Sequence, residues 1–284
     1  MVKVCYLIGY PLGHSMSHVM HNAAFRELSL DYRFELLEIP PRELKSRIES
    51  DLRPSWVRGA SVTIPHKIEV LRHLEEVDPS AAKIGAVNTI VNDRGILKGY
   101  NTDGAGAMKS LEKNFGDLEG VKAVVLGAGG ASRAISYHLS QVAGELVILN
   151  RTYEKAQSLA ETLMEYPECK ASITAKPMNR ASIREALRDA ELLVNTTPLG
   201  MWPRTSETPV EGELIRPGIM VFDIIYNPPK TRLLEEAEAS GARTLNGVEM
   251  LIYQGAEAFR LWTGREAPIE AMRRALEEAL GVRG

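Results

Sequence analysis

The chain has 284 residues, 44% hydrophobic and 25% charged, a folded globular balance that excludes disorder as its main state. Lys and Arg total 34 against 37 for Asp and Glu, a net charge of −3, so bulk electrostatics make no case for a nucleic-acid or anionic-membrane partner. Two cysteines, Cys5 and Cys169, are too few for a disulfide framework or a Cys-rich zinc site, and no metal is expected. No segment approaches the roughly 20 apolar residues of a membrane-spanning helix. The first apolar stretch, broken by Pro11 and Gly13, is a poor signal peptide, which makes the cytoplasm the expected compartment. The length fits one large domain or two ordinary ones.

Residues 2–9 read as a strand closed by Tyr10-Pro11-Leu12-Gly13, and 17–28 as a helix through Met20, Ala24 and Leu28. A second strand over 32–39 stops at Pro40-Pro41. Residues 43–52 read as helix, 57–64 as strand and 69–77 as helix, and 86–91 with 95–98 as a hairpin around Asn92-Asp93. After a helix over 104–115, the stretch Gly116 to Gly120 signals a boundary. A new series follows, with strands over 121–126, 145–149, 171–174, 192–195, 220–225 and 242–245. Helices over 131–142 and 154–166 lie between them. The rhythm predicts an α/β fold of two lobes with mostly parallel sheets. Helices over 248–262 and 269–280 have no strand left to alternate with, and are expected to return to the first lobe.

The segment Val124-Val125-Leu126-Gly127-Ala128-Gly129-Gly130-Ala131-Ser132 is a buried strand, a glycine turn and a helix start. Glycines there serve a tight turn and close backbone approach to a pyrophosphate, whose charge suits the helix N-terminus. Ser132 stands at the third glycine position of the usual fingerprint. About 20 residues on, NAD enzymes carry an acid for the ribose 2′-hydroxyl. This chain has Asn150-Arg151-Thr152, with Lys155 one turn later, a cationic set that matches a 2′-phosphate and points to NADP.

Four polar clusters follow strands in the first lobe. Ser15 and Ser17, two apart, are placed to donate to one carboxylate, though Ser17 equally suits an N-cap. Lys67 follows Thr63-Ile64-Pro65-His66, where open α/β sheets bind ligands, although a lone Lys is usually a solvated charge. Gly85-Ala86-Val87-Asn88-Thr89 and Asn101-Thr102-Asp103-Gly104 complete the set, Asp103 also being a candidate helix cap.

In order and spacing these motifs resemble those of the shikimate dehydrogenase family over nearly the whole chain. The carriers are Pro11 to Ser17, Val62 to Lys67, Gly85 to Thr89, Asn101-Thr102-Asp103, Gly127 to Ala131, Asn150-Arg151-Thr152, Asp223 to Pro228 and Tyr253 to Ala256. His18 stands where the family often has Pro, and Ser61 where Asn is common. The resemblance implies a substrate-binding catalytic domain over 1–104, a Rossmann-type NADP domain over 105–246, and C-terminal helices over 247–284. It implies reversible NADPH-dependent reduction of 3-dehydroshikimate to shikimate, with Lys67 as acid/base and Asp103 as its partner and a ligand of substrate hydroxyl. Ser15, Ser17 and Tyr226 would hold the substrate carboxylate, and Thr63, Asn88 and Gln254 would meet ring hydroxyls. Gly127, Ala128, Gly129, Gly130, Ala131, Asn150, Arg151, Thr152 and Lys155 would bind NADP, and Ile224 and Gly247 would flank its nicotinamide. A dual shikimate/quinate dehydrogenase is the nearest alternative. A non-catalytic ligand-sensing homologue is a more distant one, disfavoured because Lys67 and Asp103 are both present. The expected state is monomer or homodimer.

Overall fold

The computed structural model describes residues 2–13 and 15–281. The chain divides into two compact units, one comprising the residues up to Gly106 with those from Leu251 on, the other Ala107–Met250. The sequence placed the corresponding changes after 104 and 246.

The first unit begins with β1 (Lys3–Gly9), α1 (Ser17–Glu27), β2 (Tyr32–Glu38), α2 (Leu44–Arg47), β3 (Val57–Val62) and β4 (Glu76–Val77). It continues through α3 (Pro79–Ile84), β5 (Thr89–Asp93), β6 (Ile96–Tyr100) and the start of α4 (Asp103–Asn114). The strands form one sheet in the order β2-β1-β3-β5-β6-β4. Pairing is parallel for β1 with β2 and β3 and for β4 with β6, and antiparallel within β3-β5-β6.

Three local expectations shift. The stretch expected as one helix over 43–52 is a 3-10 turn, then α2, then a π turn over Ile48–Leu52. Leu44, Ile48 and Leu52, four apart, stay buried throughout, so the apolar spacing holds while the turn type varies. The helix expected over 69–77 is a five-residue 3-10 segment, Glu69–His73, that gives way to edge strand β4. Pairing wins there, because the Leu97 N–H donates to Glu75 Oε2 (2.8 Å) and β4 adds to β6. The hairpin turns at Arg94-Gly95, two residues after the expected centre, with φ of 56° and 92°. Two positive φ values suit the two-residue turn of a twisted hairpin, and Asn92 closes it by accepting from Gly95 N–H (2.7 Å).

The second unit runs through the rest of α4, then β7 (Lys122–Leu126), α5 (Gly130–Leu139), β8 (Glu145–Asn150), α6 (Tyr153–Met164) and β9 (Ser172–Pro177). It then adds α7 (Arg180–Leu187), β10 (Leu192–Asn195), β11 (Met220–Asp223), α8 (Arg232–Ala239) and β12 (Arg243–Leu245). The sheet is wholly parallel, in the order β12-β11-β10-β7-β8-β9. Read from β9 this is the doubly wound order 3-2-1-4-5-6, whose direction reverses between β7 and β10. Val124, Leu126, Val147, Leu149, Leu193 and Val221 bury one face with Ile183, Leu187, Leu233 and Leu234 of α7 and α8. Strands covered on both faces need continuous apolar runs, as β7 and β10 have.

Helix α9 (Val248–Thr263) starts in the second unit and continues into the first, followed there by α10 (Ile269–Leu280). Trp262 is fully buried and donates from Nε1 to the Ile90 carbonyl (2.9 Å), while Phe259 lies 5.2 Å from Phe25 of α1. Helix α10 packs along α1. Buried aromatic rings of this size contribute about 1.5–3 kcal/mol each, so these helices are part of the first unit's core. Among the described residues no helix is long and apolar enough to cross a membrane.

Candidate active site

The first unit gathers its polar motifs at strand ends. After β3, Thr63 N–H still donates to Ile8 O (2.9 Å), and the chain then turns, closed by His66 N–H to Thr63 O (2.9 Å). The buried His66 ring is anchored by Nε2 against the Ile39 carbonyl at 2.7 Å. Lys67 follows, its carbonyl accepting from Val87 N–H (2.8 Å). Its Nζ lies 2.5 Å from Asp103 Oδ2, with the side chains 16% and 5% exposed. The pair is thus largely withdrawn from water, and Lys67 is its accessible member.

Asp103 is the first residue inside α4 rather than its cap, so its carboxylate lies at the positive end of the helix. Its backbone N–H donates to Asn101 Oδ1 (3.1 Å), and Asn101 Nδ2 donates to Ala86 O (2.9 Å). Asn88 is the hub. Its Nδ2 lies 2.9 Å from Asp103 Oδ1, 2.9 Å from Thr102 Oγ1 and 3.2 Å from Gln254 Oε1 of α9. Its Oδ1 accepts from Thr102 N–H (2.8 Å) and Thr89 Oγ1 (3.0 Å). An amide nitrogen has two hydrogens, so three acceptors compete for them, and the longest contact, to Gln254, is the one most readily exchanged.

Ser15 and Ser17 are both buried, with their Oγ atoms 3.3 Å apart. Ser17 is the first residue inside α1, with Met16 at the N-cap position, so it does not cap the helix, and its N–H donates to Ser15 Oγ (3.3 Å). Leu12 fixes the loop before them, donating its N–H to Glu38 Oε1 (2.7 Å) and accepting from Ser15 N–H (2.8 Å). His14, part of the same motif, lies outside the described residues. Thr63 is half-buried.

The second unit carries the nucleotide motif at the reversal of its sheet. Gly127 has φ +112°, and a Cβ there would come within 2.5 Å of Thr196 Oγ1, so both conformation and space require glycine. A Cβ on Gly129 would meet nothing within 4 Å, leaving the start of α5 open to an approaching group. Ser132, at the third glycine position, is fully buried and donates to Gly127 O (2.6 Å), tying the turn to α5. Beyond β8, Asn150 Nδ2 donates to Thr152 O (2.8 Å), and Arg151, Thr152 and Lys155 are exposed. Neither Arg151 nor Lys155 has an ion-pair partner among the described residues, so both cations are available to a phosphate. The open turn, the free N–H groups of α5 and this cationic end of β8 fit a dinucleotide with a 2′-phosphate.

Ile224 and Gly247 are brought together. A Cβ on Gly247 would lie 2.0 Å from the Ile224 carbonyl oxygen, and Gly247 N–H donates to Ile225 O (3.0 Å). Tyr226, half-buried, follows in the same unit. Asp223 precedes this turn as a fully buried carboxylate, which burial pushes up to about 6 against the hydrogen bonds it accepts. The roles of Thr89, Thr102, Glu38 and Asp223 were not assigned from sequence. Thr89, Thr102 and Asp223 lay within quoted motifs, and the available signal was a polar residue near the end of an apolar strand.

Known families match in three consecutive parts: "Shikimate dehydrogenase substrate binding domain" over residues 7–90, "Shikimate / quinate 5-dehydrogenase" over 109–224 and "Shikimate 5'-dehydrogenase C-terminal domain" over 247–277. The shikimate dehydrogenase (NADP(+)) of Methanopyrus kandleri is 48% identical over 283 residues, covering 98% of this chain and 96% of that protein. The enzyme of the same name from Moorella thermoacetica is 46% identical over 280 residues, covering 97% and 93%. The crystal structure of shikimate 5-dehydrogenase from Thermus thermophilus, in complex with NADP(H) and shikimate, is 36% identical, with a TM-score of 0.85 over 99% of this chain and 100% of that one. With family matches across both units and such identity over nearly its full length, the chain belongs to the shikimate dehydrogenase family.

Proposed function

We propose that the protein catalyses the reversible NADPH-dependent reduction of 3-dehydroshikimate to shikimate, a step of aromatic amino-acid biosynthesis. The observation that carries this reading is the Lys67–Asp103 pair, 2.5 Å apart and nearly buried beside Asn88 and Gln254. NADPH, when bound, supplies the hydride that reduces the ring ketone. Lys67 holds at Nζ the proton that the developing alkoxide takes, and its charge stabilises that oxygen. Asp103 keeps Lys67 in place and accepts from a substrate hydroxyl. Ser15 and Ser17 donate their hydroxyl hydrogens to the substrate carboxylate, joined by Tyr226. Thr63, Asn88 and Gln254 meet ring hydroxyls, Asn88 by releasing its long contact to Gln254.

On the second unit, Gly127, Ala128, Gly129, Gly130 and Ala131 hold the pyrophosphate at the start of α5. Asn150, Arg151, Thr152 and Lys155 take the 2′-phosphate, and Ile224 and Gly247 flank the nicotinamide. The reading makes the protein a cytoplasmic small-molecule enzyme, monomeric or homodimeric, without a nucleic-acid partner, in keeping with a net charge of −3. The matched description over 109–224 names quinate as well as shikimate, which keeps a dual specificity as the second reading.

The test follows NADPH absorbance in the purified protein with 3-dehydroshikimate, and the reverse reaction with shikimate or quinate and NADP or NAD. Turnover confined to 3-dehydroshikimate and shikimate with the phosphorylated cofactor is expected. Comparable rates with quinate would establish the dual enzyme. Ligand binding without any turnover would overturn the catalytic reading in favour of a sensor.

A further inference from the structure

Asp223, at the end of β11, is fully buried, and the mechanism above does not use it. Three neutral donors converge on its carboxylate. Ile225 N–H (3.1 Å) and Asn195 Nδ2 (3.0 Å) reach Oδ1, and Thr231 Oγ1 (2.7 Å) reaches Oδ2. Asn195 ends the neighbouring strand β10, and Thr231 is the N-cap of α8. One side chain therefore ties two adjacent strand ends and a helix start to the turn that follows β11.

Three backbone groups of that turn are held by hydrogen bonds. Ile224 N–H donates to Asn195 O (3.2 Å), Ile225 N–H to Asp223, and Ile225 O accepts from Gly247 N–H (3.0 Å). The Ile224 carbonyl is packed so closely by Gly247 that no Cβ fits. Of these partners only Asp223 acts through a side chain, so it is the one that substitution can remove without breaking the backbone.

We propose that Asp223 is a positioning residue that sets the shape of the Ile224–Ile225 turn, and through it the placement of the nicotinamide ring during hydride transfer. This rests on the reading that Ile224 and Gly247 flank that ring. Burial pushes the Asp223 carboxyl up to about 6, a cost not offset by any cation among its hydrogen-bond partners. A buried acid kept at such a cost beside a cofactor-facing turn is where function, rather than packing, sets the residue.

The experiment compares Asp223→Ala and Asp223→Asn with the parent as full-length protein, by NADPH titration, emission of the bound reduced nicotinamide, and kcat with its deuterium isotope effect. Asp223→Ala leaves Ile225 N–H without its side-chain acceptor and Asn195 Nδ2 with only its long contact to Leu199 O (3.5 Å). NADPH affinity should stay within about threefold, because the phosphate contacts lie elsewhere, while kcat falls about tenfold or more, as misplacement of a reacting group costs. Bound-nicotinamide emission should change and the isotope effect rise. Asp223→Asn keeps Oδ1 as an acceptor and can donate to Thr231 Oγ1, so it should recover most of kcat and the parent emission.

Parent-like kcat and emission in Asp223→Ala would overturn the proposal, as would an Asp223→Asn that folds but behaves like Asp223→Ala. If Asp223→Ala does not fold, Thr231→Val against Thr231→Ser decides: loss in the first and recovery in the second supports it, and equal behaviour overturns it. A parent that binds NADPH but does not reduce 3-dehydroshikimate defeats the proposed reaction alone, since the emission still tests Asp223. A parent that does not bind NADPH overturns both.

Discussion

Lys67 Nζ and Asp103 Oδ2 lie 2.5 Å apart although 36 residues separate them, one just past the turn after β3 and the other opening α4. The pairing gives each a job it lacks alone. A lone lysine at a strand end is an ordinary surface cation, and a lone aspartate at a helix start is an ordinary dipole partner. Joined and nearly buried, they form a fixed pair, and Asn88 holds it further through Asp103 Oδ1.

Replacing Lys67 with Ala should lower kcat by about a hundredfold or more, the usual range for a positioned acid, with little change in KM. Steady-state kinetics with 3-dehydroshikimate decide. A large rise in KM with kcat preserved would make Lys67 a binding residue.

Arg151→Ala should weaken NADPH binding by roughly tenfold or more and leave NADH binding nearly unchanged, because a charge-assisted contact to phosphate contributes about 1.5–3 kcal/mol. Parallel titrations with the two cofactors make the check. Equal losses would remove Arg151 from the 2′-phosphate site.

Stability should fall in mild acid through His21. Its ring is wholly buried among Phe34, Phe25 and Trp262, neither nitrogen has a hydrogen-bond partner among the described residues, and burial pushes its pKa down to about 3. The unfolded chain, with a histidine near 6.5, binds a proton that the folded one refuses. This contribution is therefore intact above about pH 6.5 and is lost as pH falls towards about 3, at roughly 1.4 kcal/mol per unit. Asp223 acts with the opposite sign, since its raised folded value penalises the fold above about 6 and relaxes as pH falls through that value. Urea unfolding at pH 7 and pH 5 should show His21→Leu losing less stability than the parent, by about 2 kcal/mol. Identical acid limbs would show that His21 is not the source.

Trp262→Ala should destabilise the protein by about 3–5 kcal/mol, the cost of emptying a large buried site, and it also removes the donor to Ile90 O. Denaturant unfolding measures it. A loss below about 1 kcal/mol would mean that α9 contributes little to the first unit.

The second unit's architecture was legible because its central strands are buried on both faces and so write themselves as unbroken apolar runs such as Ala123-Val124-Val125-Leu126. Glycine chemistry was legible for a related reason: only a residue without Cβ fits at Gly127. The hairpin turn was misplaced because Asn92-Asp93 looks like turn chemistry, while Asn92 in fact straps the loop from outside, also reaching Leu52 O (2.7 Å). Edge strand β4 was hidden because pairing with a distant strand, which no local pattern records, outweighed helical spacing.

The sequence by itself determined the alternating α/β rhythm, the nucleotide turn and the cationic end of β8. All of these are local: each depends on a side-chain period, a backbone conformation or a charge within a few positions. The residues proposed for chemistry were named instead by the resemblance of their motifs to a family. Tertiary structure decided what those residues do to one another. It placed Asp103 against Lys67, made Asn88 rather than either of them the hub, pressed Gly247 onto Ile224, and put Asp223 beneath the turn beside it. Hydrogen bonds and burial act over a few ångströms in space, whereas most of these partners lie 15 to 36 positions apart along the chain. Only the folded arrangement of strand ends sets that distance.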